Sequence, residues 1–186
     1  MRIISGKLKG KSINYLKNEK TRPLKDSVKE SIFNILTHSN SINLKIKNAN
    51  VLDLYSGIGS FGLECISREA KHVTFVEEDL KAVQILEKNL KNMSIFDKAK
   101  IINNKIENIN FSKNLLKFDI IFLDPPFKDH NFLKNIENMK KKKIYNKNNI
   151  LIIHREKNSN DNLEKFCNLI LFRQYGRSKI IFAKLI

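Results

Sequence analysis

Apolar and polar positions change rhythm along this chain, and each change marks an element. Val51-Leu52-Asp53-Leu54-Tyr55, Val73-Thr74-Phe75-Val76-Glu77, Ile101-Ile102, Phe118 to Leu123 and Ile150-Leu151-Ile152-Ile153-His154 are short runs suited to strands buried on both faces. Between them the spacing turns helical over Gly59 to Arg68, over Asp79 to Lys91 (Leu80, Val83, Leu86, Leu90) and over Asp129 to Met139. Leu169 to Phe172 and Ile180 to Leu185 flank Gly176 and predict an antiparallel hairpin. Ahead of these lie two predicted short strands, Arg2 to Gly6 and Lys11 to Tyr15, punctuated by Gly6 and Gly10. Pro23 and Asp26 then open a helix with Val28, Ile32, Phe33, Ile35 and Leu36 on its apolar side.

Strands alternating with helices predict an α/β fold, with a mostly parallel sheet covered on both faces. Residues 1–48 read as a small N-terminal β/α extension, and residues 49–186 as the main domain. In such folds ligands bind beyond the carboxyl ends of the strands. The chain has 186 residues, enough for one full core.

Composition changes this picture in three ways. No apolar run approaches the roughly 20 residues of a membrane helix, and the first residues lack a signal core, so a cytoplasmic location and no membrane partner are expected. Cys65 and Cys167 form no Cys-x-x-Cys pair, and each falls in a predicted helix, so both are expected as packed thiols. His38, His72, His130 and His154 share no ligand spacing, and each is expected in a plain surface or loop role; no metal is expected. Thirty-five basic residues against nineteen acidic ones give a net charge of +16. That excess favours a polyanionic partner, although the abundance of Lys, Asn and Ile also reads as compositional bias.

The candidate chemistry sits at two strand ends. After Asp53, Gly57-Ile58-Gly59-Ser60-Phe61-Gly62 is a G-x-G-x-x-G loop that lets a ligand approach the backbone. Glu77 closes the second strand and suits a ribose diol. Asp53 suits an ammonium group and would repel a pyrophosphate, which favours S-adenosylmethionine over a dinucleotide; bracing of the loop is its other reading. Asp124-Pro125-Pro126-Phe127 closes the fourth strand. Two prolines remove two amide donors. The Asp124 carboxylate and the Pro125 carbonyl then offer two acceptors for the hydrogens of a planar amine, and Phe127 offers a stacking face for a flipped base.

Together these motifs resemble the RsmD family, bacterial small-subunit ribosomal RNA guanine-N2 methyltransferases. The likeness spans Arg2 to Gly10, Thr21 to Leu36, Asp53 to Arg68, the Asp124–Phe127 tetrad and Gln174-Tyr175-Gly176. It implies a Rossmann-like class I methyltransferase with a seven-stranded, mostly parallel sheet and a C-terminal antiparallel hairpin. It implies a donor site over Asp53, Tyr55, Ser56, Gly57, Gly59 and Phe61, with Glu77 and Glu78 beyond the second strand and Asn104 and Ile106 beyond the third. Asp124, Pro125, Pro126 and Phe127 are implied as catalytic, with Asp124 holding the amine and taking its proton after transfer. Ribosomal RNA or a partly assembled small subunit is the implied partner, met by Arg2, Lys7, Lys9, Arg22, Pro23 and Asp26, and a monomer is expected. The chain departs from the family pattern at Lys29 (usually Arg), Leu24 (usually Thr), Lys105 and Arg177, where acidic residues are usual. The tetrad also fits an adenine-N6 methyltransferase, and an inactive RNA-binding assembly factor is the alternative outside enzymology.

Overall fold

The apolar runs assemble into a single sheet in the computed structural model, which describes residues 1–15, 24–109, 117–129 and 131–186. Strands β1 (Asn50–Leu54), β2 (His72–Glu77), β3 (Ala99–Asn103), β4 (Phe118–Leu123) and β5 (Tyr145–Glu156) are parallel. β6 (Cys167–Tyr175) and β7 (Ser178–Leu185) form the antiparallel hairpin, with β7 paired to β5. The order across the sheet is β3-β2-β1-β4-β5-β7-β6. The chain runs outward from β1 to β3 and then returns to lay β4 on the other side of β1. This reversal opens a crevice between the carboxyl ends of β1 and β4.

Strand residues alternate between two cores, as a period of two requires. Val51, Phe75, Ile120, Phe122, Ile152 and Phe182 face α1 (Asp26–His38), α2 (Ser60–Ser67) and α3 (Leu80–Asn92). Leu52, Leu54, Val76, Ile121, Leu151 and Ile153 face Phe132, Ile136 and Met139 of α4 (Phe132–Lys142). Seven strands, a mostly parallel sheet and a closing hairpin match the expected fold class.

The N-terminal segment departs from expectation. Its two predicted strands reduce to one antiparallel bridge, Arg2 to Ser12. The backbone there bonds to α2 and α3 as well as to itself. Ile4 and Ser5 donate to the Glu64 carboxylate (2.8 and 3.0 Å), Leu8 to Ser67 Oγ (3.0 Å) and Asn14 to Asn89 Oδ1 (2.8 Å). Gly6 (φ 84°) passes so close to α2 that a Cβ would lie 2.1 Å from the Ser67 carbonyl. Lys29 is fully buried, donating to the Arg2 carbonyl (3.0 Å) and lying 3.4 Å from both Ser60 Oγ and Asp26 Oδ1. Burial lowers its pKa against the pull of Asp26. Lys29 thus ties the segment to the start of α2.

Two further boundaries moved. Cys167, expected in a helix, is the buried first residue of β6. α4 begins at Phe132 rather than Asp129, because the Asp129 carboxylate holds the preceding turn by accepting from Asn131 N (2.7 Å). The expectations for Arg22, Pro23 and His130 lie outside the described residues.

Candidate active site at the switch point

β1 carries Asp53 inward beneath α2, where it is 1% exposed. Its Oδ2 accepts from Gly62 N (2.9 Å), while Oδ1 is buried without a partner among the described residues. Burial pushes this carboxyl well above the ordinary carboxylate range, against the Gly62 hydrogen bond. One oxygen thus braces the loop, and the other is buried with its hydrogen-bonding capacity unused among the described residues.

The glycines divide the same way. At Gly59 (φ 84°) a Cβ would lie 2.4 Å from Leu86 Cδ1, so that glycine serves packing. At Gly57 (φ 55°) a Cβ would meet nothing within 4 Å, so the backbone there faces open space. Glu77 reaches across from β2, accepting from Gly57 N (2.7 Å) and Asp79 N (2.9 Å). Each carboxylate oxygen has a second lone pair left for a hydroxyl. Ser56 Oγ is also buried and unpartnered among the described residues. An open backbone flanked by orphaned acceptors fits a ligand carrying an ammonium group and a ribose diol, as S-adenosylmethionine does.

Other expected donor contacts are placed differently. The Phe61 ring is core, stacked on Phe122 (4.1 Å) and Phe33 (5.2 Å), so only its backbone belongs to the loop. Tyr55 (φ 59°) turns toward α4, donating to Asp129 Oδ2 (3.0 Å) and accepting from Asn135 Nδ2 (3.1 Å). Burial and then the Asp129 charge push its hydroxyl pKa up. Glu78 and Asn104 are exposed beyond β2 and β3, and Asn104 Oδ1 accepts from Lys105 N (2.8 Å). Ile106 is buried in the second core.

On the other wall, Asp124 follows β4 with its Oδ1 2.7 Å from His154 Nδ1 of β5. His154 Nε2 lies 2.9 Å from Ser178 Oγ of β7. The Phe127 ring meets the imidazole edge-on, centroids 5.8 Å apart. Arg155, 1% exposed, runs beneath the tetrad. It pairs with Asp161 (Nε to Oδ2, 2.9 Å), donates to the Pro126 and Phe127 carbonyls (3.2 Å each) and covers the Phe132 ring at 4.4 Å. Among the described residues no hydrogen bond reaches the Pro125 carbonyl or Asp124 Oδ2. Two acceptors thus remain without a hydrogen bond at the end of β4.

The structure corrects the expectation for His154, which is 9% exposed with both ring nitrogens engaged. Arg155 and Asp161 carried no motif. The signal for His154 was positional: β4 and β5 run side by side with Leu123 opposite Ile153, so the residues that follow are neighbours.

The expected RNA contacts that fall among the described residues lie at both ends of α2. The Arg2 carbonyl is held by Lys29 at the start of α2, beside Asp26. Lys7 lies at the other end of that helix, its backbone bonded to Ser67 and its Nζ 2.7 Å from Glu69 Oε1. Lys9 lies in the same turn, bonded to Gly6. Among the described residues no cluster of three or more metal-type side chains occurs, and no helix is long and apolar enough to cross a membrane.

A family model described as Conserved hypothetical protein 95 matches residues 1–184. A protein of Buchnera aphidicola (subsp. Baizongia pistaciae) named Ribosomal RNA small subunit methyltransferase D is 35% identical over 184 residues, covering 98% of this chain and 90% of its own. Its namesake in another Buchnera aphidicola subspecies (Acyrthosiphon pisum) is 34% identical over 155 residues, 83% and 78% of the two chains. The solved yhhF structure from Escherichia coli superposes with a TM-score of 0.83 at 24% identity, covering 100% of this chain and 97% of its own. A ribosomal protein L11 methylase from Lactobacillus delbrueckii shares the fold with a TM-score of 0.64 at 15% identity, covering 83% and 76%. The chain belongs to the family that this model describes, the RsmD family.

Proposed function

We propose that this member of the RsmD family is an S-adenosylmethionine-dependent methyltransferase acting on the exocyclic N2 of a guanine in small-subunit ribosomal RNA. The observation that carries the reading is the pair of unengaged acceptors, Asp124 Oδ2 and the Pro125 carbonyl, at the end of β4, the strand next to the one that leads into the open backbone at Gly57. Relatives named for small-subunit ribosomal RNA methylation supply the substrate class. The net charge of +16 suits a polyanion. Ribosomal RNA, free or within a partly assembled small subunit, as the partner, a monomeric enzyme and a cytoplasmic location complete the proposal.

S-adenosylmethionine, when bound, supplies an electrophilic methyl group. The chain does the rest. Asp53 Oδ1 and Glu77 hold the donor's ammonium and ribose groups. Phe127 offers its face to a guanine taken out of its stack. Asp124 and the Pro125 carbonyl each accept one hydrogen of the amine, which orients the nitrogen and returns electron density to it. Asp124 takes the released proton as general base. The test is to incubate the protein with labelled donor and small-subunit ribosomal RNA or subunits, then digest and identify the nucleoside. N2-methylguanosine is expected. N6-methyladenosine would overturn the base assignment, and no labelled nucleoside would overturn the enzyme reading.

A further inference from the structure

We propose that His154 is a positioning residue for Asp124, acting as a hydrogen-bond donor that fixes one carboxylate oxygen so that the other faces the substrate amine. The inference rests on the reading of Asp124 as the amine-holding group.

The geometry defines the roles. A carboxylate is acceptor-only, so the contact between Asp124 Oδ1 and His154 Nδ1 at 2.7 Å requires a hydrogen on Nδ1. A neutral imidazole then has its lone pair on Nε2, where it accepts from the Ser178 hydroxyl at 2.9 Å. Three adjacent strand ends, of β4, β5 and β7, thereby form one chain of donors: Ser178 to His154, and His154 to Asp124. The Asp124 carboxylate sets the tautomer, and the Ser178 hydroxyl, donating to the Nε2 lone pair, holds the ring against that carboxylate. The Phe127 ring packs against the imidazole in a T-shaped arrangement, centroids 5.8 Å apart. Without His154, Asp124 is free to rotate about its own side chain and to present either oxygen, or neither, to the amine. Sub-ångström placement of a catalytic group depends on such support.

The test uses side chains that copy one ring nitrogen each. Asn offers an amide nitrogen near the position of Nδ1, and Gln near that of Nε2. His154→Leu should lower kcat by about 10–100-fold, by analogy with the loss when the partner that orients a metal-binding side chain is removed. KM for RNA and affinity for S-adenosylhomocysteine should stay within about twofold, since neither ligand touches His154. His154→Asn should recover most of the lost turnover, and His154→Gln should not. In the wild type a downfield imidazole N–H resonance should be present and should shift in Ser178→Ala. That readout needs no activity, and it carries the test should the Leu variant fail to fold. The proposal is overturned if His154→Leu turns over like wild type, or if Asn is as slow as Leu. Wild-type product analysis separates the two levels. A methylated amine other than guanine N2 defeats the base assignment while leaving the His154 series to be scored on that amine.

Discussion

The β1–β2 wall of the crevice and the β4–β5 wall are held by different means. On the first, Asp53 and Glu77 accept from the amides of Gly62 and Gly57, within the loop they brace. On the second, Asp124 is held by a side chain of β5, that side chain by one of β7, and the tetrad's carbonyls by Arg155. Backbone amides survive most substitutions; side-chain networks do not. The donor wall should therefore tolerate changes that the acceptor wall does not. Tyr55 joins the two through Asp129, so the walls are distinct but not independent.

The largest break in this comparison should come at Asp124. Asp124→Ala removes an acceptor and the base, and turnover should fall by roughly 10²–10⁴-fold. Affinity for S-adenosylhomocysteine, measured by calorimetry, should survive because Asp53, Glu77 and the glycine loop lie on the other wall. Asp124→Asn keeps the shape and separates charge from geometry. A loss close to that of Ala assigns the effect to the charge, and a small loss to geometry. Guanine methylation at the wild-type rate in both would make the tetrad structural.

Next in size is the support beneath the tetrad. Arg155 and Asp161 are both nearly inaccessible. Removing one partner of a buried pair strands the other charge, which typically costs about 3–5 kcal/mol. Arg155→Met should lower stability to denaturant by that order and slow turnover, because Pro126 and Phe127 lose donors to their carbonyls. Adding Asp161→Leu should restore stability without restoring turnover. Recovery of both would mean that Arg155 only stabilises the fold.

How much of each wall was legible follows from the same difference. The donor wall is written locally: Asp53, the glycines and Glu77 fall within one strand–loop–helix–strand unit, and their spacing dictates their meeting. The tetrad was legible as a motif, since Pro-Pro after an apolar run has few other readings. Its support was not. His154 precedes Ser178 by 24 residues, and Arg155 pairs with Asp161 only because the chain turns back after β5. No composition or period marks such pairs. Even on the donor wall, the loop motif did not say which way side chains point, and Phe61 and Tyr55 turned into packing. The N-terminal strands shrank for a related reason: Glu64, Ser67 and Asn89 take amides of Ile4, Ser5, Leu8 and Asn14 that a longer ladder would need.

Asp53 sharpens the donor side. Its folded pKa is raised, so between the ordinary carboxylate value and the raised one the folded protein holds a proton that the unfolded chain has lost. Its contribution to stability is complete below the ordinary value and is lost as pH rises through the raised one. Asp53→Asn keeps an acceptor for Gly62 and removes the titration. Without donor, the variant should lose less stability than wild type as pH rises from the ordinary carboxylate value toward the raised one. Its affinity for S-adenosylhomocysteine should fall by about tenfold or more, as expected for a hydrogen bond to a charged group. Identical denaturation midpoints across that pH range in the two proteins would leave Asp53 a brace alone.

The smallest effect should be at Lys7, and it tests where RNA lies relative to the two walls. Arg2 and Lys7 are five residues apart and both are exposed. Arg2 sits at the start of α2, beside the glycine loop; Lys7 sits at the end of that helix. Eight helical residues span about 12 Å, so the two charges face different parts of any bound polyanion. Lys7 is also matched by Glu69, which Lys47 approaches from its other oxygen. A basic side chain already paired with a carboxylate releases few counterions when it meets phosphate. For single-stranded RNA, each basic side chain that no longer neutralises a phosphate should reduce the slope of log affinity against log salt by about 0.7. Arg2→Ala should reduce the slope by about one such step, whereas Lys7→Ala should leave it unchanged, in filter binding to small-subunit ribosomal RNA across a salt series. An equal reduction in both variants would mean that RNA runs the full length of α2, and that the far end of the helix belongs to the substrate surface as much as the crevice does.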